Sequence, residues 1–522
     1  MPRTFYITTA IDYTNSAPHI GHAYEKVLAD VIARYRRLKG ENVFFLTGVD
    51  QHGQKVQQSA ESEGIPPEQF VRGVTEQFIA LWDKLEVRYD GWAATTDPLH
   101  QRCVQGMLQR LWEEGEIYKD KQAGYYSVRQ EQFLTEKERG SDGEFGPEWG
   151  VVEYRQEENY YFRLGNHKRW LLDFLSSNPE FVSPSFRQIE LINAVEKLSG
   201  DLCISRPKSR LSWGIELPFD PDYVNYVWFD ALSNYISFAG YDPALSSFLL
   251  QPSAFRELWP ALQIIGKDIL IPAHGIYWPV MLHALGFSDE QMPKLLVHGW
   301  WNIAGAKMSK SVGNVVDPEV LVEKYGAEAL RYYLMSDIVT GKDADFSEER
   351  LVARYNSDLA NNIGNLVSRT LNMLHRFCGG VVNARLRDLV SELQLEAEAQ
   401  IKNFQLSADT FSPSAILSAA DCLSSRCNGI IDREQPWKLA KEPAQTDKLE
   451  SLLYGLTETV RIIAVLISPV LPRAAHGIWD QLNWKLEGSG NENRFSLAEA
   501  EWGKLPDGHV VAKPVPLFPR IA

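Results

Sequence analysis

At 522 residues, with 44% hydrophobic and 23% charged side chains, the chain is too long for one core and reads as a soluble protein of roughly three or four domains. A net charge of −15 excludes a protein that coats nucleic acid generally, which wants a basic surface, but not one that binds a structured RNA at a local patch. No apolar run approaches the ~20 residues of a membrane helix, the N-terminus lacks a signal peptide's apolar stretch, and five scattered cysteines suit no disulfide framework, so a cytoplasmic location is expected.

In chain order, Phe5–Ile11 is a short β-branched, apolar run that predicts a buried strand. A Gly/Pro/Asn-rich turn from Asp12 to Pro18 leads into a helical pattern from about Gly21 to Leu38, and Val43–Thr47 predicts a second strand. Strand, loop, helix, strand in this order is the pattern of a parallel, doubly wound sheet. From 117 to 225 the texture turns to Gly, Glu and Tyr with broken periodicity, which predicts an insertion with a turn-rich finger at Glu136–Glu153. Core segments resume at Tyr226–Ile236, Leu262–Ile271 and Leu295–Ile303. Beyond Asp345 the period is helical: Glu348–Phe377 with Ser347 as cap, Ala415–Ile431 and Leu449–Ile467. The expected division is therefore an α/β Rossmann-type sheet in two halves (1–116 and 226–300) split by the insertion (117–225). A junction (301–345) and an all-α bundle (346–522) follow.

Two motifs carry chemistry. His19-Ile20-Gly21-His22 falls where the first strand's loop becomes a helix. A helix N-terminus offers unpaired N–H groups and a positive dipole end to a phosphate, and the glycine lets a ligand approach the backbone. Lys307-Met308-Ser309-Lys310-Ser311 puts two ammonium groups on a Gly/Ser-flanked loop that can close over a polyphosphate. Alone, the first suits two surface histidines and the second a solvated basic turn; together and in this order they point to one nucleotide site.

With both in one chain, the sequence resembles the class I aminoacyl-tRNA synthetases. The resemblance implies a split Rossmann catalytic domain with an insertion, an adenylate intermediate and a helical, anticodon-binding domain. It further implies that His19, His22, Lys307 and Lys310 are catalytic, and that Gly21, Gly266, Asp268, Lys310 and Ser311 bind ATP. Tyr6–Tyr13, Thr47–Gly53, Val227–Tyr235 and His274–Pro279 are similar to segments of the methionine-specific branch. On that resemblance Asp50 holds the substrate ammonium, as a carboxylate naturally would. Ile11, Tyr13, Trp228, Ala231, Leu232, Tyr235, His274 and Trp278 line a pocket for a polarisable thioether. Ordinary core packing is the competing explanation for each aromatic. Asn365, Arg369 and Trp437 are similar to anticodon readers, with donors for base edges and a stacking platform. ATP with Mg²⁺, L-methionine, tRNA(Met) and the initiator tRNA are the implied cofactors and partners, with no membrane.

The sequence departs from the family pattern twice. Five residues, Ile269 to Ala273, separate Asp268 from His274 where about four are expected, which leaves the backbone at 269–273 open. Many relatives hold zinc in the insertion through cysteine pairs, yet residues 104–202 contain no cysteine, so a zinc-free finger and no metal site are expected. A leucine enzyme would need a larger insertion and a cysteine enzyme soft ligands near its substrate. A non-catalytic relative should have lost one signature, and a small nucleotidylyltransferase would not explain the helical third. The chain ends soon after that third, which predicts a monomer.

Overall fold

The computed structural model describes residues 4–521 apart from 128–131, 135, 141, 304, 308–314, 386–390 and 485–494; of Lys307 it describes the backbone alone. Seven strands of the described chain form one parallel sheet: β1 (Phe5–Thr9), β2 (Asp12–Tyr13), β3 (Val43–Asp50), β4 (Gly91–Ala94), β5 (Val182–Ser183), β6 (Leu262–Gly266) and β7 (Lys294–His298). Their order is β4-β3-β1-β6-β7-β5, with β2 continuing the line of β1 along β3. Burial on both faces explains why β1 reads as an unbroken apolar or β-branched run and β6 as one interrupted only by Gln263, neither of them alternating.

Helix α1 (Ile20–Leu38) connects the first strands to β3 and packs on β1, β3 and β6. On one side β1 meets β3, reached directly through α1; on the other it meets β6, which the chain reaches only after the insertion. The strand order therefore reverses at β1. In open α/β sheets ligands bind outside the carboxyl ends of the strands at such a reversal.

The stretch 117–225 is used in three places. Ile117–Ser127 and Val152–Phe162 form a long antiparallel ribbon, flanked by Gln132–Leu134 and Leu202–Cys203. At its tip the Arg139 guanidinium lies 4.7 Å from the Tyr125 ring centroid and 4.4 Å from that of Phe145. A second small sheet joins Ser205–Pro207, Asp220–Asn225 and Glu216–Leu217. Between the two, Val182–Ser183 returns to the edge of the central sheet beside β7.

Beyond the sheet, Ser347 caps a helix at Glu348, its Oγ accepting from the Arg350 N–H at 3.2 Å. The helix widens into π-type turns over Tyr355–Gly364 before continuing as α2 (Asn365–Cys378). The bundle is completed by α3 (Ser391–Asp409), α4 (Pro413–Glu434), α5 (Thr446–Ile467) and α6 (Pro472–Gln481). Of these, α5 is buried almost all round from Ser451 onward, and its buried polar side chains are paired: Glu458 with Arg461, and Thr457 and Thr459 with the carbonyls of Leu453 and Gly455. Arg331 joins bundle to sheet: it donates to the carbonyls of Leu85, Pro469 and Val470 and pairs with Asp30 of α1 at 2.7 Å, both partners fully buried.

Candidate active site

A cavity of about 510 Å³ opens at the reversal of strand order. Its wall is made by residues just past the strand ends: Ala10 to Tyr13 after β1, Asp50 closing β3, Gly266 and Asp268 after β6, and His298 to Trp301 after β7. His19, Gly21 and His22 enter from the start of α1, and Trp228, Ala231, Leu232, Tyr235 and His274 from the second half of the catalytic unit.

At the α1 end the two histidines form a reciprocal cap. The Gly21 N–H donates to His19 Nδ1 and the His19 N–H to His22 Nδ1, both at 3.1 Å, and the rings stack 3.7 Å apart. Because each Nδ1 accepts, each neutral ring carries its proton on Nε2. The motif thus sets two Nε2–H donors at the positive end of the helix dipole, an arrangement suited to phosphate, while the first amides of the helix are taken by the Val316 carbonyl and by His19. A Cβ on Gly21 would lie 2.9 Å from the His19 ring, so any larger residue there would push that ring out of its present place in the stack.

At the opposite end, Asp50 is 7% exposed and its Oδ1 accepts from the His52 N–H at 3.3 Å. His52 is held in turn by Asp230: its Nδ1 lies 2.7 Å from Asp230 Oδ2, while His100 Nε2 lies 2.8 Å from Oδ1. Burial opposes charge on Asp230, but the two imidazoles hold its carboxyl below the usual range. Gly53, at φ +105°, has no room for a side chain because a Cβ would sit 2.7 Å from the Tyr13 hydroxyl. This loop therefore fixes Asp50 and Tyr13 together.

The apolar part of the wall is electrically neutral by construction. His274 donates from Nδ1 to the Ile269 carbonyl at 3.0 Å, so its Nε2 accepts from the Tyr235 hydroxyl at 2.8 Å. Burial brings its pKa down to about 4, and Trp228 stands edge-on to the ring at 6.4 Å. The extra residue before His274 is taken up by π-type turns over Leu270–Tyr277, broken at Ile271 (φ −116°, ψ 120°). Trp278 does not reach the cavity wall. It is fully buried behind Tyr235, 5.8 Å from that ring, and 6.2 Å from Trp259.

Beyond β7 the wall residue Trp301 opens a short strand, Trp301–Ile303, paired antiparallel with Ala306–Lys307. Lys307 is thus carried on a hairpin that starts at the cleft; Lys310 and Ser311 lie outside the described residues. Far along the chain, Asn365 and Arg369 stand one turn apart on α2 and both face Asn428 of α4 at 3.4 Å. Arg369 also pairs with Asp432 at 2.6 Å, and Trp437 is 41% exposed on the short helix Pro436–Leu439.

A family model described as tRNA synthetases class I (M) matches residues 5–142 and 150–371. The methionine–tRNA ligase of Lactococcus lactis is 39% identical over 531 residues, covering 99% of this chain and 78% of that protein. That of Caldanaerobacter subterraneus is 40% identical over 532 residues, covering 100% and 79% respectively. The chain belongs to the methionyl branch of the class I tRNA synthetases. Among solved structures, the Mycobacterium tuberculosis methionyl-tRNA synthetase in complex with methionyl-adenylate matches with TM-score 0.89 at 37% identity, covering 99% of this chain and 100% of that one. The apo form of that enzyme matches with TM-score 0.84.

Against this family background, several wall residues escaped the sequence reading: Asp12, Glu25, Lys55, Tyr226, His298 and Trp300 among them. His298-Gly299-Trp300-Trp301 could have been found, since a glycine among aromatics directly after a strand marks a close approach at a sheet's carboxyl end. Glu25 and Asp12 gave no such signal. Their roles depend on contacts made across the fold.

Proposed function

We propose that the chain activates L-methionine with ATP, releasing pyrophosphate, and transfers the methionyl group to the 3′ end of tRNA(Met), the initiator tRNA included. The observation that carries this reading is one cavity with three different ends. Paired imidazole donors lie at a helix N-terminus, a buried carboxylate lies at the end of β3, and an uncharged aromatic pocket lies between them.

On this reading Asp50 takes the methionine ammonium, and Ile11, Tyr13, Trp228, Ala231, Leu232 and Tyr235 surround the thioether. An uncharged His274 suits that side chain, because an imidazolium beside it would need a counter-charge. Trp278 backs Tyr235 without touching substrate. His19 and His22 donate to the triphosphate, Gly21, Gly266 and Asp268 take the nucleoside end, and Lys307, Lys310 and Ser311 close over the leaving pyrophosphate. The methionine carboxylate oxygen forms a bond to the α-phosphorus as the bond to the bridging oxygen of pyrophosphate breaks. The terminal ribose hydroxyl of tRNA then attacks the adenylate carbonyl and AMP leaves. No protein nucleophile is required, so the protein's contribution is positioning and charge stabilisation.

Among the described residues no three His, Cys, Asp or Glu side chains converge as a resident metal would need. On this reading magnesium would come with the substrate, as MgATP, on phosphate oxygens. The finger is read as zinc-free, which its lack of cysteine and its arginine–aromatic packing support. Asn365, Arg369 and Trp437 are read as anticodon contacts, with Arg369 exchanging Asp432 for RNA. Five free cysteines, two of them buried, support a reducing, cytoplasmic setting.

ATP–pyrophosphate exchange across a panel of amino acids, with and without a transition-metal chelator, tests the proposal. Methionine-dependent exchange that resists the chelator is expected. Exchange driven by another amino acid, or by none, overturns the assignment.

A further inference from the structure

A buried ionic cluster underlies the cavity wall, with Asp12, Glu25 and His298 in the wall and Lys26 behind them. Lys26, on α1, is fully buried, and each of its three N–H donors is taken: by the Ala10 carbonyl at 2.9 Å, by Asp12 Oδ1 at 2.7 Å and by Glu25 Oε1 at 2.9 Å. The second oxygen of Glu25 lies 3.0 Å from His298 Nε2, and His298 Nδ1 donates to the Gly299 carbonyl at 2.8 Å. Those partners belong to three separate pieces of the wall. Ala10 and Asp12 belong to the loop that carries Ile11 and Tyr13, Glu25 belongs to the helix whose first turn carries His19 and His22, and His298 closes β7, where the hairpin toward Lys307 begins.

We propose that Lys26 is a positioning residue for methionine activation: its ammonium locks the amino-acid loop to the phosphate-binding helix and, through Glu25 and His298, to the end of β7. It does not line the cavity, so it acts on the reaction only through the groups it holds. The physical case rests on what such burial costs. A lysine buried among apolar neighbours is costly unless every donor is satisfied. Here the site is built to satisfy all three donors, two by the amino-acid loop and one by helix α1, so a single ammonium ties those two pieces of the cleft together. In-line attack of one bound substrate on another tolerates little misplacement, and about 1 Å of error costs on the order of 100-fold in rate. Asp12 adds a further sign that this floor faces substrate. It lines the cavity, is buried, and its Oδ2 has no hydrogen-bond partner, which leaves an acceptor for a bound donor.

The inference rests on the cleft being the methionine-activation site. The test is pyrophosphate exchange with the full chain carrying Lys26→Met, which removes the ammonium, and the double change Lys26→Met with Asp12→Asn, which also removes a buried carboxylate left without its cation. Lys26→Gln, which keeps one N–H for the Ala10 carbonyl, serves as the conservative comparison. Thermal unfolding selects the variants that remain folded. The expected result is a kcat lowered about 10- to 100-fold in Lys26→Met relative to wild type, and in the double variant relative to Asp12→Asn alone, with KM for ATP and methionine moving less than about threefold in each comparison and Lys26→Gln recovering part of the loss. A folded variant with kcat within threefold of wild type overturns the proposal, as does a loss confined to KM. Absence of methionine-dependent exchange in the wild type would instead overturn the functional assignment, so the two failures are distinct.

Discussion

Two buried aspartates stand near the cleft, Asp12 in its wall and Asp230 behind it against His52, and they are held in opposite ways. Asp230 has an imidazole on each oxygen, at 2.7 and 2.8 Å, and its carboxyl lies below the usual range despite complete burial. Asp12 is as deeply buried, but it shares Lys26 with Glu25 and has one oxygen without a partner; burial pushes its pKa up to about 7. Glu25 gains both Lys26 and His298, and these outweigh burial to hold it low. Desolvation is the largest influence on all three, so the sign of each shift is decided by how many charged or hydrogen-bonding partners each oxygen keeps. The difference teaches that the two acids do different work. Asp230 is held toward its anionic form and braces His52 and, through it, Asp50, whereas Asp12 is the member of its cluster that burial pushes toward its neutral form.

The largest effect expected from breaking this contrast comes from Asp230→Ala. That change removes the acceptor of two buried imidazole N–H groups at once. The loss should be about 3–5 kcal/mol of unfolding free energy in urea titration. Asp12→Asn removes one carboxylate from a cluster that has one to spare, and should cost less than about 2 kcal/mol near pH 7. Equal losses in the two variants would mean that partner number does not govern these sites.

The pH dependence sharpens the same contrast, because the signs are opposite. Asp12 has a folded pKa above its ordinary value, so the folded state binds more protons between about 4 and 7. Its contribution is fully present below the unfolded pKa and is lost as pH rises through about 7, on the order of a few kcal/mol. Asp230 is depressed, so its contribution is present above the unfolded pKa and is lost as pH falls. The pH slope of unfolding free energy between pH 4 and 8 should therefore shift in the positive direction in Asp12→Asn relative to wild type, since the opposite contributions of Asp230 and His274 are common to both proteins. A wild-type slope that Asp12→Asn leaves unchanged would remove Asp12 as its source.

How much of this was legible in the sequence depended on distance along the chain. The phosphate end was readable because His19, Gly21 and His22 are neighbours and their cap needs nothing else. Likewise, Ser347 was recognisable as a cap from the residues beside it. The Lys26 cluster was not, since Glu25 and His298 are 273 positions apart and no local pattern foretells their contact. Helix α3 was missed because its buried stripe is narrow, Leu393, Ala397, Phe404 and Ala408, while Leu395 and Leu406 stand exposed off that stripe and blur the helical period. Strand β5 was missed because two residues, Val182 and Ser183, carry no period at all. The odd spacing before His274 was visible as a number, but its resolution into widened turns with a break at Ile271 required the fold.

His274 supplies the finest test, because it separates the number of partners from their charge. Like Asp230 it is fully buried with both polar atoms bonded, but its partners are a neutral carbonyl and a neutral hydroxyl, and burial alone then decides the shift, down to about 4. The depressed pKa means that the unfolded chain takes up a proton near pH 6.5 while the folded chain resists until about 4. Stability should therefore fall by about 3 kcal/mol as pH drops through that window, and His274→Gln should flatten that part of the curve. Tyr235→Phe deletes one neutral donor and leaves Nε2 a buried acceptor. It should cost about 1–2 kcal/mol in unfolding free energy while leaving the acid limb in place. If the acid limb moved toward pH 6.5 in Tyr235→Phe, the tyrosine hydroxyl, and not desolvation, would be what keeps the imidazole uncharged.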